Sequence, residues 1–317
     1  MNSSAANSSV QCEARIFVSN TTEARAVTVF LIIMNIITAP VTSLLNGLVI
    51  IAVKRKLRLK TKSSIALACL ATTDCFMGVI GQPMFIALNI VVLQDESSYT
   101  YCLIKQLSIA VLTVLGRATN LHLALMYLDR YIAIKHPYRY TNMVTATRLL
   151  CSSAFVWIVA LLSTATSFLP KKLLASQLSN VNAVIISSGV AIIIFCQIVL
   201  YYETRRHEKQ IAANQVSEDN KRKFLTEKKA LKLTTTVLFV LVLTYLPLML
   251  VFILYRISVI ASLNAVRIST AIGIFLILLN SLINPVIYCI RTRQFRIAFI
   301  EILKSEKVTC VQAGREG

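Results

Sequence analysis

The amino-acid sequence predicts an all-α protein: a bundle of seven membrane-spanning helices followed by a short amphipathic helix on the membrane surface. The 317 residues are 56% apolar and only 15% charged, with a mean hydropathy of +0.70, whereas ordinary soluble domains carry roughly 25% charged residues. A membrane-spanning helix needs about 20 apolar residues, and seven such runs follow one another. The runs lack the alternating pattern of a membrane barrel, so helices must satisfy the backbone polar groups in lipid.

Short polar segments separate the seven predicted spans, which cover residues 27–53, 63–92, 102–134, 149–169, 184–202, 231–254 and 268–289. Residues 291–303 then place apolar side chains near one helical face, which predicts the surface helix. These are Phe295, Ile297, Phe299, Ile300 and Leu303. Because no repeat or low-complexity linker divides the chain, we expect one helical domain at 27–303. A polar tail at 1–26 precedes this domain, and a short tail at 304–317 follows it.

The basic residues predict the orientation of the spans. The net charge is +19, and about 25 of the 33 Lys and Arg residues lie on the side that carries the C-terminus. The positive-inside rule therefore places the N-terminus outside and the C-terminus in the cytoplasm. Membrane orientation and contact with anionic lipids account for the excess charge, so nucleic-acid binding is not expected.

The N-terminal tail carries three glycosylation sequons, at Asn2, Asn7 and Asn20. All three precede the first span, on the side assigned to the outside. The first 26 residues contain no apolar core of a signal peptide, so we expect no cleaved leader.

Several polar residues fall inside the apolar spans, where they are costly and therefore indicate function. Asp74 lies in span two and Arg117 in span three, which ends in Asp129-Arg130-Tyr131. The alternative interpretation is that such groups only bond helices to one another. The remaining polar positions are Asn46 in span one and, in span seven, Asn280, Ser281 and Asn284 before Pro285 and Tyr288.

The segments LDRYIAIKHPYRY at 128–140 and NPVIY at 284–288 resemble those of rhodopsin-like (class A) G-protein-coupled receptors. Further marks of that family follow in order across about 250 residues: Asn46, Asp74, Trp157, Pro247 and Phe295. The resemblance implies a multi-pass plasma-membrane receptor, with no catalytic residues and no cofactor apart from an allosteric Na⁺. Such a receptor binds an extracellular ligand and activates a heterotrimeric G protein when span six moves outward.

The same resemblance assigns roles to residues. Arg130 would be the cytoplasmic switch residue, paired in the resting state with Asp129 and with Glu227 at the start of span six. The switch set is completed by Tyr131, Tyr245, Pro247, Asn284, Pro285 and Tyr288. The sodium site would comprise Asn46, Asp74, Thr119, Asn280, Ser281 and Asn284. The G-protein face would comprise Arg130, Ile134, Pro137, Tyr138, Lys228, Lys229 and Lys232.

The chain also departs from the family pattern. Tyr245 stands where span six usually has Trp, span five contains no proline, and the second external loop has no Cys. These features partly resemble the melanocortin, adenosine, cannabinoid and lysophospholipid branch. Since the usual loop Cys is absent, a Cys12–Cys102 disulfide is a hypothesis that the oxidising outside favours. Cys310 is a candidate for palmitoylation.

The ligand expected from the charges is an anionic lipid or an acidic peptide. Amine receptors carry an Asp in span three where this chain has Leu112, and span seven has no Lys for retinal. The outer positions are basic instead, which complements an anion. Anchoring at lipid headgroups is the alternative explanation. The pocket candidates are Lys105, Leu112, Arg117, Asn120, Tyr245, Arg256 and Arg267.

Other function classes fit the sequence less well. Three His residues without a Cys or acid cluster give no metal site, and no glycine-rich phosphate loop occurs among the eight glycines. An ion transporter or channel would use polar residues such as Asp74, but the broken-helix repeats of transporters are missing. Within the same fold, the altered span six leaves a constitutively active or accessory receptor as the main alternative.

Overall fold

A computed structural model describes residues 22–56, 59–94, 99–166, 188–206, 209, 218–257 and 263–313, and in this part of the chain the regular structure is helical, with no strand. The first five helices are α1 Thr22–Arg55, α2 Lys62–Phe76, α3 Gln82–Leu93, α4 Tyr99–Lys135 and α5 Pro137–Met143. The next are α6 Ala146–Ala165 and α7, helical throughout its described residues 188–206. The last three are α8 Glu218–Arg256, α9 Leu263–Arg291 and α10 Arg293–Ala313.

The predicted seven-helix bundle is confirmed. Six stretches of helix among the described residues are long and apolar enough to cross a membrane, and they match predicted spans one to four, six and seven. The described part of α7 coincides with most of the remaining span, 184–202. The protein is therefore an all-α membrane protein with multiple spans.

Several helices extend beyond the predicted segments. The first, α1, begins at Thr22 instead of residue 27, and Glu23 in its first turn complements the helix dipole. Likewise α8 begins at Glu218, 13 residues before the predicted span at 231, and α10 continues to Ala313. Hydropathy marks where lipid begins, whereas Lys, Glu and other polar helix formers continue the backbone helix into water.

Span two is interrupted by a π-helical turn at Met77–Gly81, which joins α2 to α3. At this turn span two lies against α1: a Cβ atom added to Gly78 would lie 2.4 Å from Ser43 Oγ and 2.9 Å from the Ala39 carbonyl oxygen. Only glycine permits such a close approach. A π-turn is a single-turn insertion that hydropathy does not reveal.

The largest core cluster lies in the half of the bundle that contains the C-terminal end of α4, where α1, α2, α4, α7, α8, α9 and α10 meet. Its largest fully buried side chains include Leu70, Tyr127, Leu200, Tyr288 and Phe295. Many large apolar side chains instead lie on the outside, such as Leu44 and Phe155, which are 67% and 65% exposed. Apolar side chains on the outer surface are expected when the solvent is lipid.

Candidate functional sites

The cytoplasmic switch predicted around Arg130 begins with an ion pair between neighbours at the end of α4. Arg130 Nη2 donates to Asp129 Oδ2 at 2.6 Å, and Arg130 Nε donates to the same oxygen at 3.0 Å. Both residues are buried. A buried guanidinium and carboxylate stabilise each other because neither can be separated from its partner without a large desolvation cost.

Tyr140 completes this group, and the sequence analysis did not single it out. Its hydroxyl donates to Asp129 Oδ1 at 2.8 Å, so both carboxylate oxygens of Asp129 are engaged. Burial, together with the Asp129 charge, raises the pKa of Tyr140 to about 12, and the hydroxyl keeps its proton at physiological pH. The only signal in the sequence was its place in the run LDRYIAIKHPYRY, since α5 returns it to the end of α4.

The other predicted cytoplasmic residues divide into those whose side chains the structure describes and those whose side chains it does not. The backbone of Glu227, Lys228 and Lys229 is helical in α8, but their side chains lie outside the described part, as does that of Pro137. Among the described residues, Ile134 is half-buried and Lys232 is exposed. Tyr138 is 96% exposed, and the ring of Tyr131 lies 6.0 Å from that of Phe195 on α7.

Two further contacts connect α4 to α8 and to α7. Tyr127 donates from its hydroxyl to the carbonyl oxygen of Thr234 on α8 at 2.6 Å. Lys135 forms a salt bridge with Glu203 on α7. Sequence reasoning missed both pairs because the partners are far apart along the chain and no local pattern relates them.

The predicted sodium-site residues meet at the centre of the bundle. Ser281 Oγ donates to Asp74 Oδ1 at 2.7 Å, and Asn284 Nδ2 donates to Asp74 Oδ2 at 2.8 Å. Asn46 Nδ2 donates to the Ser281 carbonyl oxygen at 2.9 Å, which adds α1 to the cluster. Asp74, Asn46 and Asn284 are fully buried. The structure therefore brings three of the predicted helices together around one carboxylate.

Several of the predicted sodium-site residues carry a buried oxygen atom without a hydrogen-bond partner. These atoms are the Thr119 hydroxyl and the side-chain carbonyl oxygens of Asn46, Asn280 and Asn284. The Tyr288 hydroxyl is buried and unpartnered as well. Buried polar atoms are normally satisfied. The unpaired carbonyl oxygen of Asn284, whose amide donates to Asp74, therefore fits a hard cation or ordered water.

The altered position of span six faces the same cluster. Tyr245 of α8 is half-buried and lies close enough to Asp74 for the two to interact electrostatically. Pro247 follows two residues later inside the helix. On the facing helix α9, a Cβ at Gly273 would lie 3.0 Å from two side-chain atoms of Leu248, so the two helices pack closely here.

A cavity of about 500 Å³ lies at the opposite end of the bundle, between α1, α3, α4 and α9. Most of its lining is apolar. Three of its polar side chains, Thr28, Asn89 and Thr270, donate to the backbone carbonyl of the residue four positions earlier in the same helix. The charged residues of the lining are Lys105 and Arg267, both half-buried, and no acid is among the described residues that form it. The cavity therefore combines an apolar wall with positive charge.

Of the predicted pocket residues whose side chains the structure describes, Lys105 and Arg267 are the two that line this cavity. Leu112 packs deeper, against the apolar cluster that includes Leu31 and Phe85. Tyr245 faces Asp74 as described above. The side chain of Arg256 lies outside the described residues.

Arg117 and Asn120 lie on another side of α4. Arg117 is bonded to Ser163 and Thr164 of α6. The Asn120 carbonyl oxygen lies against α7, 2.1 Å from where a Cβ of Gly189 would be. Neither residue lines the cavity.

Cys102 is disulfide-bonded to a residue outside the described part of the chain. Five other cysteines are free: Cys69, Cys75, Cys151, Cys196 and Cys289. Cys12 and the sequons at Asn2, Asn7 and Asn20 fall outside the described residues, as does the side chain of Cys310.

Comparison with known proteins agrees with the geometry. The sequence model of the family described as "7 transmembrane receptor (rhodopsin family)" matches residues 45–288. The chain is 23% identical to bovine (Bos taurus) adenosine receptor A3, over 82% of this chain and 85% of that receptor. It is 24% identical to mouse (Mus musculus) adenosine receptor A2b, over 86% and 88% of the two chains. Rat (Rattus norvegicus) histamine H2 receptor matches a shorter region, 29% identical over 37% of this chain and 31% of that receptor.

The matched region contains the cytoplasmic switch, the central cluster and most of the cavity lining, from Asn46 to Tyr288. Its members are signalling receptors and not enzymes, in agreement with the interpretation drawn from the motifs. The chain belongs to the rhodopsin family of seven-transmembrane receptors.

Proposed function

We propose that this receptor binds an extracellular ligand with an apolar body and an anionic group, and that ligand binding activates a heterotrimeric G protein. The observation that carries this proposal is the cavity between α1, α3, α4 and α9. Its volume of about 500 Å³ lies within the range of small-molecule pockets, roughly 300–1,000 Å³. The ligand class is thus an amphipathic anion such as a lipid acid.

The charge of the cavity supports an anion over a cation. Lys105 and Arg267 are the charged residues of the lining, on α4 and α9. A cationic amine placed there would meet two positive charges, whereas a carboxylate or phosphate is attracted by both. Leu112, where amine receptors have Asp, lies in an apolar cluster. The apolar wall suits an acyl chain better than a polar peptide.

The half of the bundle around the C-terminal end of α4 supports coupling to a G protein. The buried Arg130–Asp129 pair and the links from Tyr127 and Lys135 to α8 and α7 join helices that must separate for a partner helix to enter. Such entry is a helix-in-groove mode, and Tyr138 offers an exposed aromatic ring at its rim. The distribution of Lys and Arg supports a plasma-membrane protein with this face in the cytoplasm and in contact with anionic lipids.

The central cluster supports an allosteric Na⁺. Asp74 would supply a carboxylate, with Ser281 and Asn284 bonded to it, and Asn46, Thr119 and Asn280 would supply further neutral oxygens. A bound cation would compensate the buried charge of Asp74 and stabilise the packing of span two against span seven. The unpaired oxygens at Thr119 and Asn280 are the observation that fits an oxygen-preferring ion.

The ligand proposal is tested with paired probes in cells that express the receptor. Oleate and lysophosphatidate are compared with uncharged oleyl alcohol, and adenosine and histamine are included because of the relatives' names. The readouts are cyclic AMP and calcium. We expect responses to the anionic probes only, and no response in cells expressing Arg130→Ala at equal surface level.

Variants locate the binding site. Arg267→Gln and Lys105→Gln should each raise the half-maximal concentration of the active anion about 10–100-fold, because a charge-assisted hydrogen bond contributes roughly 1.5–3 kcal/mol. Arg25→Gln is the matched control, since Arg25 is an exposed cation at the same end of the bundle, on α1. A response to adenosine alone, or equal potency of the alcohol, would contradict the proposal.

A second candidate function is a receptor that signals without ligand. Tyr245 beside Asp74 is the observation in its favour, because a smaller aromatic ring at this position of span six changes the packing against the central cluster. High basal cyclic AMP or calcium signalling that Arg130→Ala abolishes would support this function. Equal basal signals in wild type and Arg130→Ala would exclude it.

A further inference from the structure

Arg117 is a buried charge in the middle of an apolar helix. It is 7% exposed and lies in α4, three turns from the extracellular cavity and on a different side of the helix. A charged side chain at such depth is expensive in lipid and in protein interiors unless an opposite charge compensates it. The local partners of Arg117 therefore decide what the residue does.

The partners that the structure gives Arg117 are neutral. Arg117 Nη1 donates to Ser163 Oγ at 3.1 Å and to Thr164 Oγ1 at 2.9 Å. Both hydroxyls donate in turn to the Ala160 carbonyl oxygen, at 3.2 and 2.8 Å. Arg117 Nε is buried and has no partner. The hydrogen bonds hold the guanidinium against α6 and prevent it from extending to the membrane surface, but they leave its charge uncompensated.

The acids of the chain offer no countercharge at this depth. Of the 14 Asp and Glu residues, only Asp74 and Asp129 fall within the predicted spans. Asp74 accepts from Ser281 and Asn284. Asp129 pairs with Arg130 and Tyr140 and lies about 18 Å from Arg117 along α4, at 1.5 Å per residue. The other acids lie outside the predicted spans in the sequence.

We propose that Arg117 binds a small monovalent anion between α4 and α6, with Nε–H as the unused donor and with Ser163 and Thr164 fixing the guanidinium. Chloride is the abundant anion of this class. A water molecule at Nε would satisfy the hydrogen bond but not the charge, so an anion is the better occupant. This site is separate from the ligand cavity, because none of these residues lines it.

Thermal unfolding of the purified, ligand-free receptor tests the proposal. Chloride is replaced by gluconate at constant ionic strength and constant Na⁺. We expect the melting temperature of the wild type to be on the order of 2–4 °C higher in chloride, at several times the dissociation constant. Arg117→Gln should lose this dependence. Arg25→Gln, which changes an exposed cation, should retain it.

Three outcomes would overturn the site. In the first, the melting temperature of the wild type is the same in chloride and in gluconate. In the second, the melting temperature of Arg117→Gln depends on chloride as strongly as that of the wild type. In the third, Arg267→Gln loses the chloride dependence and Arg117→Gln keeps it. Should Arg117→Gln fail to fold, wild-type crystals grown in bromide decide the matter by anomalous scattering. A bromide peak beside Arg117 Nε would support the site, and its absence would refute it. None of these readouts depends on the signalling ligand.

Discussion

The hydroxyl of Tyr140 donates a 2.8 Å hydrogen bond to Asp129, the same carboxylate that pairs with Arg130. Asp129 thereby links the end of α4 to the short helix α5, and both of its oxygens are used. This arrangement restrains Arg130 through the carboxylate that it shares with α5. It also predicts that a residue outside the motif at 129–131 contributes to the resting state.

Tyr140→Phe should raise basal signalling. The substitution removes one bond to a charged carboxylate, and a loss of about 1–2 kcal/mol changes a two-state population roughly 5–30-fold. Basal cyclic AMP or calcium signalling at matched surface expression measures the effect. Tyr138→Phe is the control, since Tyr138 is 96% exposed. Wild-type basal activity in Tyr140→Phe would show that this bond does not restrain the switch.

The same bond should be insensitive to pH in the physiological range. The pKa of Tyr140 is raised from 10.0 to about 12 by burial and by Asp129. Because the neutral hydroxyl is the donor, its contribution is fully present below pH 10 and is lost only as the pH rises through about 12. Basal signalling should therefore show no Tyr140-dependent change between about pH 6 and 9, measured as the ratio of wild type to Tyr140→Phe.

Glu227→Ala should also raise basal signalling. The family resemblance pairs Glu227 of α8 with Arg130, and loss of that acid would release α8 from α4. Arg130→Ala in the same background should abolish the signal, which shows that any increase runs through the switch. If Glu227→Ala has unchanged basal activity at equal surface expression, the pairing does not restrain this receptor.

Removal of Na⁺ should destabilise the receptor through Asp74. Replacing Na⁺ by N-methylglucamine at constant ionic strength should lower the melting temperature of the purified wild type by a few degrees. Asp74→Asn removes the carboxylate but keeps an amide of similar size, and its melting temperature should not depend on Na⁺. The same Na⁺ dependence in Asp74→Asn would place the ion elsewhere.

Cys12 and Cys102 should be found cross-linked. Five of the eight cysteines are free and Cys102 is disulfide-bonded, which leaves Cys12 and Cys310 as partners. Cys102 is 33 residues from Lys135, so the length of α4 separates it by about 50 Å from the cytoplasmic side where Cys310 follows span seven. Non-reducing peptide mapping by mass spectrometry tests the pair, and a free Cys12 thiol would rule it out. A double Cys12→Ser, Cys102→Ser variant should be less stable, by roughly 2–5 kcal/mol.

The sequence by itself determined the all-helical membrane architecture, the spans to within a few residues, and the family. Each of these depends on local properties: apolar runs of about 20 residues, and motifs such as those at 128–140 and 284–288. It also identified Asp74, Ser281 and Asn284 as one cluster, because the family resemblance carried their spatial relation. Helix ends were less accurate, as at Glu218, because helix propensity continues where hydropathy stops.

Tertiary structure alone decided which residues meet. Lys105 and Arg267 come together at one cavity although 162 positions separate them, whereas Arg117, on the same helix as Lys105, faces Ser163 and Thr164 instead. Lys105 and Arg117 lie about three turns apart on α4 and face different sides, so their partners depend on rotation about the helix axis as well as on depth. That rotation is set by how every neighbouring helix packs, for example by the π-turn and the close approach at Gly78, and no segment read alone contains it.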